Sequence, residues 1–403
     1  FCTLLELILY FIFLLFFTNR IIIFFFSREF SVCLEHGLCI PIPFSNMCIA
    51  FNRNCDVVRC RALLLVLTVA CSGCGVLVSG AGISPLPSTM PIGNCNPSTF
   101  TISGISSGAC MAIQFQYAWS SLVRGAAIVA GAPYLCAGGT IAGAEACLNT
   151  PYVEEPDVFF AAAEESAAMG LIDPLEGLAN HTIFLFSGTA DTVVPQPNMN
   201  NVVEMYAMAG ASSRVHTFFN YSAEHAWVTS KYGNNCSFLG RPYVNNCDID
   251  FGGRFLEAAL KDFGMSWNAT FGTMQESNLF SFDQTRFGAS PQENSMATEG
   301  FVYIPKFCQD AATSSQCHLH VNMHGCRQDF LSIGTQYILQ TQLNEWAETN
   351  HFIVVYPQAT ANDELVNPLG CFDWWGYASE TYALKSGPQI SIIRSMIQFF
   401  GGF

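Results

Sequence analysis

A run of strand-like residues, Thr99 to Ser103, leads into Gly104-Ile105-Ser106-Ser107-Gly108 and then into a helical run, Ala109 to Ser120. A chain that turns sharply from strand to helix needs small residues at the bend. A serine at the tip of such a turn has its hydroxyl raised above the end of the sheet, with the following residue's N–H directed at the same point. The pattern continues from Cys95 onward, with apolar strands alternating with helical stretches. That alternation implies a mostly parallel sheet covered by helices on both faces.

Two later segments extend the argument. Ser187-Gly188-Thr189-Ala190-Asp191 follows the apolar strand Thr182 to Phe186, and Ala223-Glu224-His225 follows the strand Val215 to Phe219. The order Ser106, Asp191, His225 is that of the α/β-hydrolases, in which serine is the nucleophile, histidine the base and aspartate its orienter. Further strands are expected at Gly125 to Ala132, Phe301 to Pro305, His318 to Met323 and Phe352 to Tyr356. Helices are expected at Pro156 to Met169, Pro197 to Ala209, Gly252 to Phe263, Ile333 to Thr349 and Ile390 to Phe400. The polar stretch from Gly264 to Glu299 resembles a linker, but the strands beyond it argue for one domain.

The loop that supplies a second oxyanion donor ordinarily precedes the nucleophile. Here the good candidate, His324-Gly325-Cys326, comes long after it. Moving the block from Phe280 to Phe400 in front of Cys95 restores the usual strand order. The expected fold is therefore a circularly permuted α/β-hydrolase, a single domain with a mostly parallel sheet flanked by helices and with its ends close together.

Composition limits the function and the compartment. The chain has 16 basic and 31 acidic residues, for a net charge of -15, and no basic stripe of the kind a nucleic-acid partner requires. Eight of the 18 cysteines precede Gly80 and ten follow it. The short spacings Cys136 to Cys147, Cys236 to Cys247 and Cys308 to Cys317 read as stapled loops formed in an oxidising compartment. Sequons at Asn180, Asn220, Asn235 and Asn268 agree with secretion. Residues 1–46, rich in Phe, Ile and Leu, read either as translated upstream sequence or as an anchor. Residues 47–81 have the basic, apolar and small-residue regions of a signal peptide, which leaves 82–403 as the catalytic domain.

With Gly-Ile-Ser-Ser-Gly-Ala-Cys-Met at 104–111, His-Gly-Cys-Arg-Gln at 324–328, and Asn367-Pro368-Leu369-Gly370-Cys371-Phe372-Asp373-Trp374-Trp375-Gly376-Tyr377, the chain resembles the extracellular poly(3-hydroxybutyrate) depolymerases. The resemblance is closest to their circularly permuted type and covers roughly residues 94–400. It implies ester hydrolysis through an acyl-enzyme, with Ser106, Asp191 and His225 as triad and the N–H groups of Ser107 and Cys326 as oxyanion hole. It further implies a Cys326–Cys371 bridge that brings Asp373, Trp374 and Trp375 to the rim of the site. Trp374, Trp375 and Tyr377 are then the candidates for gripping an uncharged polyester. Counting leaves Cys95 and Cys110 for a fifth bridge.

His318, His320 and His324 invite a zinc reading, but a metal site needs a further ligand and a defined geometry. The nearby cysteines are better used as disulfide partners, so no metal and no cofactor are expected, and His324 is read as fixing the oxyanion loop. The expected partner is a polyester or oligoester bound by a monomer. The alternatives are an esterase acting on feruloyl or acetyl esters of polysaccharide, and a catalytically silent binding protein on a hydrolase scaffold.

Overall fold

The computed structural model describes residues 22–25, 30–33, 39–42, 47–50, 83–151 and 155–403. They fall into two compact units, Phe1–Ser79 and Gly80–Phe403. In the first unit, β1 (Ile22–Phe25), β2 (Phe30–Cys33), β3 (Cys39–Ile42) and β4 (Met47–Ala50) form a sheet in the order β1-β4-β2-β3. Apart from these strands, the expected anchor and signal peptide lie outside the described residues. Among the described residues, no helix is long and apolar enough to cross a membrane.

The second unit is built on a nine-stranded sheet in the order β5-β13-β14-β16-β15-β6-β7-β8-β9. Its first half comprises β5 (Ser84–Pro85), β6 (Thr101–Ile105), β7 (Gly125–Val129), β8 (Thr182–Phe186) and β9 (Val215–Phe218). A separate small sheet follows, made of β10 (Trp227–Thr229), β11 (Asn234–Asn235) and β12 (Val244–Asn246). The second half of the large sheet is β13 (Leu279–Asp283), β14 (Glu299–Tyr303), β15 (His318–Met323) and β16 (Phe352–Tyr356). Strands β16, β15, β6, β7, β8 and β9 run parallel, while β14 pairs antiparallel with both β13 and β16. Every residue of β6, β7, β8, β15 and β16 is buried, as expected of strands covered on both faces.

The covering helices are α1 (Ser107–Ala118), α2 (Ile141–Asn149), α3 (Pro156–Ala168), α4 (Gln196–Met208), α5 (Phe251–Asp262), α6 (Leu343–Asn350) and α7 (Pro388–Gly401). One core contains Phe115 of α1, Met199 of α4 and Ile393 of α7. The other contains Phe251 and Phe255 of α5 with Leu343 of α6.

The permutation is visible in the pairing. Strand β15, late in the chain, lies beside β6, with Met323 opposite Gly104. Its block closes back on the start of the unit, where Gly93 N–H donates to Phe400 O at 2.9 Å and Cys95 N–H to Gly401 O at 3.1 Å.

Two expectations are corrected, and one strand is added. The stretch Ile333 to Thr349 is not one helix but two short turns followed by α6, because Gly334 and Gln342 both adopt left-handed backbone (φ 63° and 64°). Gln342 keeps that conformation while its side chain accepts from Ser230 N–H, an anchor that periodicity does not register. The polar stretch after Gly264 contains β13, which is the sheet partner of β14. The fifth bridge is absent: Cys95 and Cys110 are buried free thiols belonging to different apolar clusters, and burial pushes both up to about 12. The bridges among the described residues are Cys136–Cys147, Cys236–Cys247, Cys308–Cys317 and Cys326–Cys371.

Candidate active site

Ser106 sits at the junction of β6 and α1 with φ 57° and ψ -124°. A non-glycine residue held there costs roughly 1–3 kcal/mol, so the surroundings must impose it. They do so through Ser106 N–H, which donates to Val129 O, and Ser106 O, which accepts from Cys110 N–H, both at 2.9 Å. Gly108 explains the tightness of the turn, because a Cβ there would lie 2.3 Å from Met323 O and 2.4 Å from His324 O. Only glycine lets the first turn of α1 pack on the end of β15.

Asp191 follows β8 and His225 follows β9, so parallel order alone brings both to the C-terminal end of the sheet beside Ser106. Asp191 Oδ2 accepts from His225 Nδ1 at 2.9 Å, and the aspartate side chain is 1% exposed. Its other oxygen, Oδ1, accepts from Val193 N–H at 2.9 Å and Val194 N–H at 2.8 Å. Both lobes of the carboxylate are thus occupied, which holds the histidine with its proton on Nδ1 and leaves Nε2 free to act as a base. Among the described residues no hydrogen bond joins Ser106 to His225, but both line one cavity of 370 Å³. Such contacts are often loose before substrate arrives.

The opposite wall is the loop after β15. Gly325 lies against the elbow, where a Cβ would meet Ser106 Cβ at 3.0 Å and Gln328 Oε1 at 2.8 Å. Gln328 Oε1 accepts from Gly325 N–H at 2.7 Å, and its Nε2 donates to Pro242 O and Tyr243 O. His324 is fully buried. Its Nε2 accepts from Ala359 N–H at 3.1 Å, so the ring proton lies on Nδ1, 2.8 Å from Gly325 O. Burial holds this imidazole below its usual range and therefore neutral. Among the described residues, the N–H groups of Ser107 and Cys326 donate to no acceptor, and both residues line the cavity. Two free donors beside a serine hydroxyl are what a developing oxyanion requires.

Cys326 is bonded to Cys371, and the segment after Cys371 is set by buried polar groups. Ser107 Oγ accepts from Phe372 N–H at 3.2 Å. Asp373 accepts from the N–H groups of Gly376, Tyr377 and Ala378, while burial raises its carboxyl to about 6. Trp374 and Trp375 line the cavity, each 9% exposed. Tyr377 departs from expectation. It does not line the cavity, and its hydroxyl donates inward to Cys371 O at 2.7 Å, while its ring backs Trp375 at 4.9 Å. A polar end with buried partners draws the tyrosine inward, away from the cavity.

The other two histidines weighed for zinc point elsewhere. His318 meets Thr99 Oγ1, and His320 is held between Thr101 Oγ1 and Ser103 Oγ. Among the described residues, no three His, Cys, Asp or Glu side chains could together hold a metal.

Sequence reasoning gave no role to Glu224, Gln328 or Arg327, nor to the apolar wall formed by Val193, Leu239 and Leu369. Glu224 clamps the acid loop to the base loop: Oε1 accepts from Thr192 Oγ1 at 2.6 Å and Oε2 from His225 N–H at 2.8 Å. Its place next to His225 was the available signal. Gln328 lay inside the quoted His-Gly-Cys-Arg-Gln motif.

No family model matches the chain. Among characterised proteins, it is 35% identical over 333 residues to poly(3-hydroxybutyrate) depolymerase of Delftia acidovorans, a match covering 82% of this chain and 65% of that relative. It is 33% identical over 330 residues to polyhydroxybutyrate depolymerase of Talaromyces funiculosus, covering 78% of this chain and 93% of the relative. Two solved structures share the fold. One is PHB depolymerase from Penicillium funiculosum, with TM-score 0.68 and 30% identity over 78% of this chain and 98% of that one. The other is a serine-to-alanine PHB depolymerase complexed with an R3HB trimer, with TM-score 0.69 and 31% identity over the same shares, 78% and 98%.

Proposed function

The chain belongs to the poly(3-hydroxybutyrate) depolymerase family, and from that premise we propose that it is a serine esterase hydrolysing poly(3-hydroxybutyrate) and its oligomers. The observation that carries the reading is the Asp191–His225 contact at 2.9 Å, with His225 lining the same cavity as Ser106 and as two residues whose N–H groups are unpaired among the described residues. Ser106 Oγ attacks the ester carbonyl as His225 Nε2 takes its proton, and the N–H groups of Ser107 and Cys326 receive the oxyanion. Collapse expels the alcohol end of the chain, protonated by His225. Water, activated by the same imidazole, then releases the acyl part as a carboxylate and restores Ser106. Asp191 holds the ring in place and stabilises the imidazolium.

The Cys326 sulfur takes no part, being bonded to Cys371. Trp374, Trp375 and the apolar wall support the choice of a neutral polyester, which offers no charge to bind and must be held by area. The four disulfides among the described residues support assembly in an oxidising compartment, and we take the protein to be secreted and to work as a monomer without a cofactor.

The test is labelling of the purified protein with a serine-directed phosphonate, followed by peptide mapping and by assays on a poly(3-hydroxybutyrate) suspension, feruloyl esters and acetyl esters. Labelling of Ser106 with clearing of the polymer is expected. Release of ferulate or acetate without clearing would move the protein to another ester, and absence of labelling would leave a silent scaffold.

A further inference from the structure

Arg327 is used by none of the chemistry above. Of the residues lining the cleft, His225 and Arg327 alone are basic, none is acidic, and Arg327 carries the permanent charge. The ion pairs among the described residues are Arg214–Asp262, His225–Asp191, Lys261–Glu257 and Lys385–Asp173, and no described hydrogen bond engages the Arg327 guanidinium. Arg327 is exposed and, like several other arginines, has no carboxylate partner among the described ion pairs; what sets it apart is its place in the lining of a largely apolar cleft. It is also firmly placed. Arg327 directly follows the oxyanion residue Cys326, holds a left-handed backbone (φ 63°), and donates its N–H at 2.7 Å to the carbonyl of Leu369, which lines the same cleft.

The interior of a polyester has nothing for this cation to bind. Hydrolysis changes that, because adding water across an ester leaves a carboxylate on one fragment and a hydroxyl on the other. Guanidinium matches carboxylate in charge and in its paired donor geometry. We propose that Arg327 is a specificity residue that binds the free carboxylate end of a hydroxyacid oligomer and so favours cleavage of short acids near that end. In a chain of hydroxyacids the carboxyl end lies on the alcohol side of every ester, so Arg327 serves the leaving-group side of the cleft. The proposal rests on the ester-hydrolase reading above.

The test compares the 3-hydroxybutyrate trimer as free acid with its methyl ester, of equal length, on wild-type protein and on Arg327→Gln at low ionic strength. In the wild type, kcat/KM should favour the acid by roughly tenfold, and the advantage should shrink in high salt. In Arg327→Gln the ratio of acid to methyl ester should fall to about one. A wild-type ratio of one, or a ratio unaltered by the substitution, would overturn the proposal. Calorimetric binding of the two trimers to Ser106→Ala protein reads the same preference without turnover. Loss of the hydrolase reading therefore appears as no turnover of either trimer with the binding preference intact, whereas loss of the carboxylate site appears as turnover with no preference.

Discussion

Glu224 Oε1 accepts the Thr192 hydroxyl at 2.6 Å, and through that bond the loop carrying Asp191 is tied to the loop carrying His225. Thr192 adjoins Asp191 and Glu224 adjoins His225, so one buried carboxylate ties together the two members of the proposed acid–base pair, which approach from different strands.

Removing that clamp should loosen the pair without removing either member. Glu224→Ala is expected to lower kcat by roughly ten- to a hundredfold with little change in KM, because a small misplacement costs rate more than affinity. Glu224→Gln keeps an oxygen for Thr192 or for His225 N–H and should retain more activity. Steady-state kinetics on p-nitrophenyl butyrate would show this; equal losses in the two variants would speak against a positioning role.

Asp191→Asn should be far more damaging than its size suggests. The two N–H donors of Val193 and Val194 require an oxygen at the Oδ1 position, which forces the new amide nitrogen toward His225 Nδ1. The imidazole must then accept there and carry its proton on Nε2, where it cannot take one from serine. A fall in kcat of roughly 10⁴-fold with unchanged unfolding temperature is expected. Imidazole nitrogen NMR would report the inverted tautomer.

Loss of Ser106 Oγ should abolish turnover. Ser106→Ala is expected to lower kcat by at least about 10⁴-fold. Circular dichroism should be unchanged. A variant retaining a tenth of wild-type hydrolysis would exclude Ser106 as nucleophile.

The cleft tryptophans should matter more for polymer than for a short ester. Trp374→Leu is expected to reduce clearing of a polyester suspension several-fold more than hydrolysis of p-nitrophenyl butyrate, since contacts beyond the reacting unit act only on the longer substrate. Equal reductions would assign Trp374 to packing alone.

Acid should weaken the fold through histidines remote from the reaction. Burial lowers His181 and His318 to about 4 and His320 to about 3, against an ordinary value of 6.5. Below pH 6.5 the unfolded chain takes up protons that the folded chain refuses. The stability these groups contribute is therefore present above 6.5 and is lost as pH falls toward 4 and 3, at up to about 1.4 kcal/mol per pH unit for each histidine. Asp373, raised to about 6, acts in the opposite sense: its contribution is present below its unfolded value and is lost as pH rises through 6. Urea midpoints at pH 7 and 5 should fall in the wild type and fall less in His320→Gln. An equal fall in the two would exclude His320 as a source.

Local requirements were legible in consecutive residues. The bend at Ser106 needs Gly108 because a Cβ would strike Met323 O, and that need is visible as a glycine next to a strand–helix junction. The alternation of strands and helices likewise fixed which loops leave the same end of a parallel sheet, and hence the convergence of the segments bearing Ser106, Asp191 and His225. Even the displaced position of His324-Gly325-Cys326 announced the permutation, because the loop that supplies a second oxyanion donor ordinarily precedes the nucleophile.

What tertiary structure alone decided are the bridges between segments far apart in the chain. Gln328 reaches Pro242 and Tyr243, Gln342 reaches Ser230, and Tyr377 turns inward to Cys371 and Gln389 rather than toward the cavity. Cys95 and Cys110 stay unbridged because they are buried in separate clusters, although counting pairs them. A backbone preference acts over a few residues and leaves its mark in their order. A hydrogen bond or an unpaired charge such as Arg327 depends on which side chains packing brings within about 3 Å of one another, and that proximity exists only once the sheet has closed.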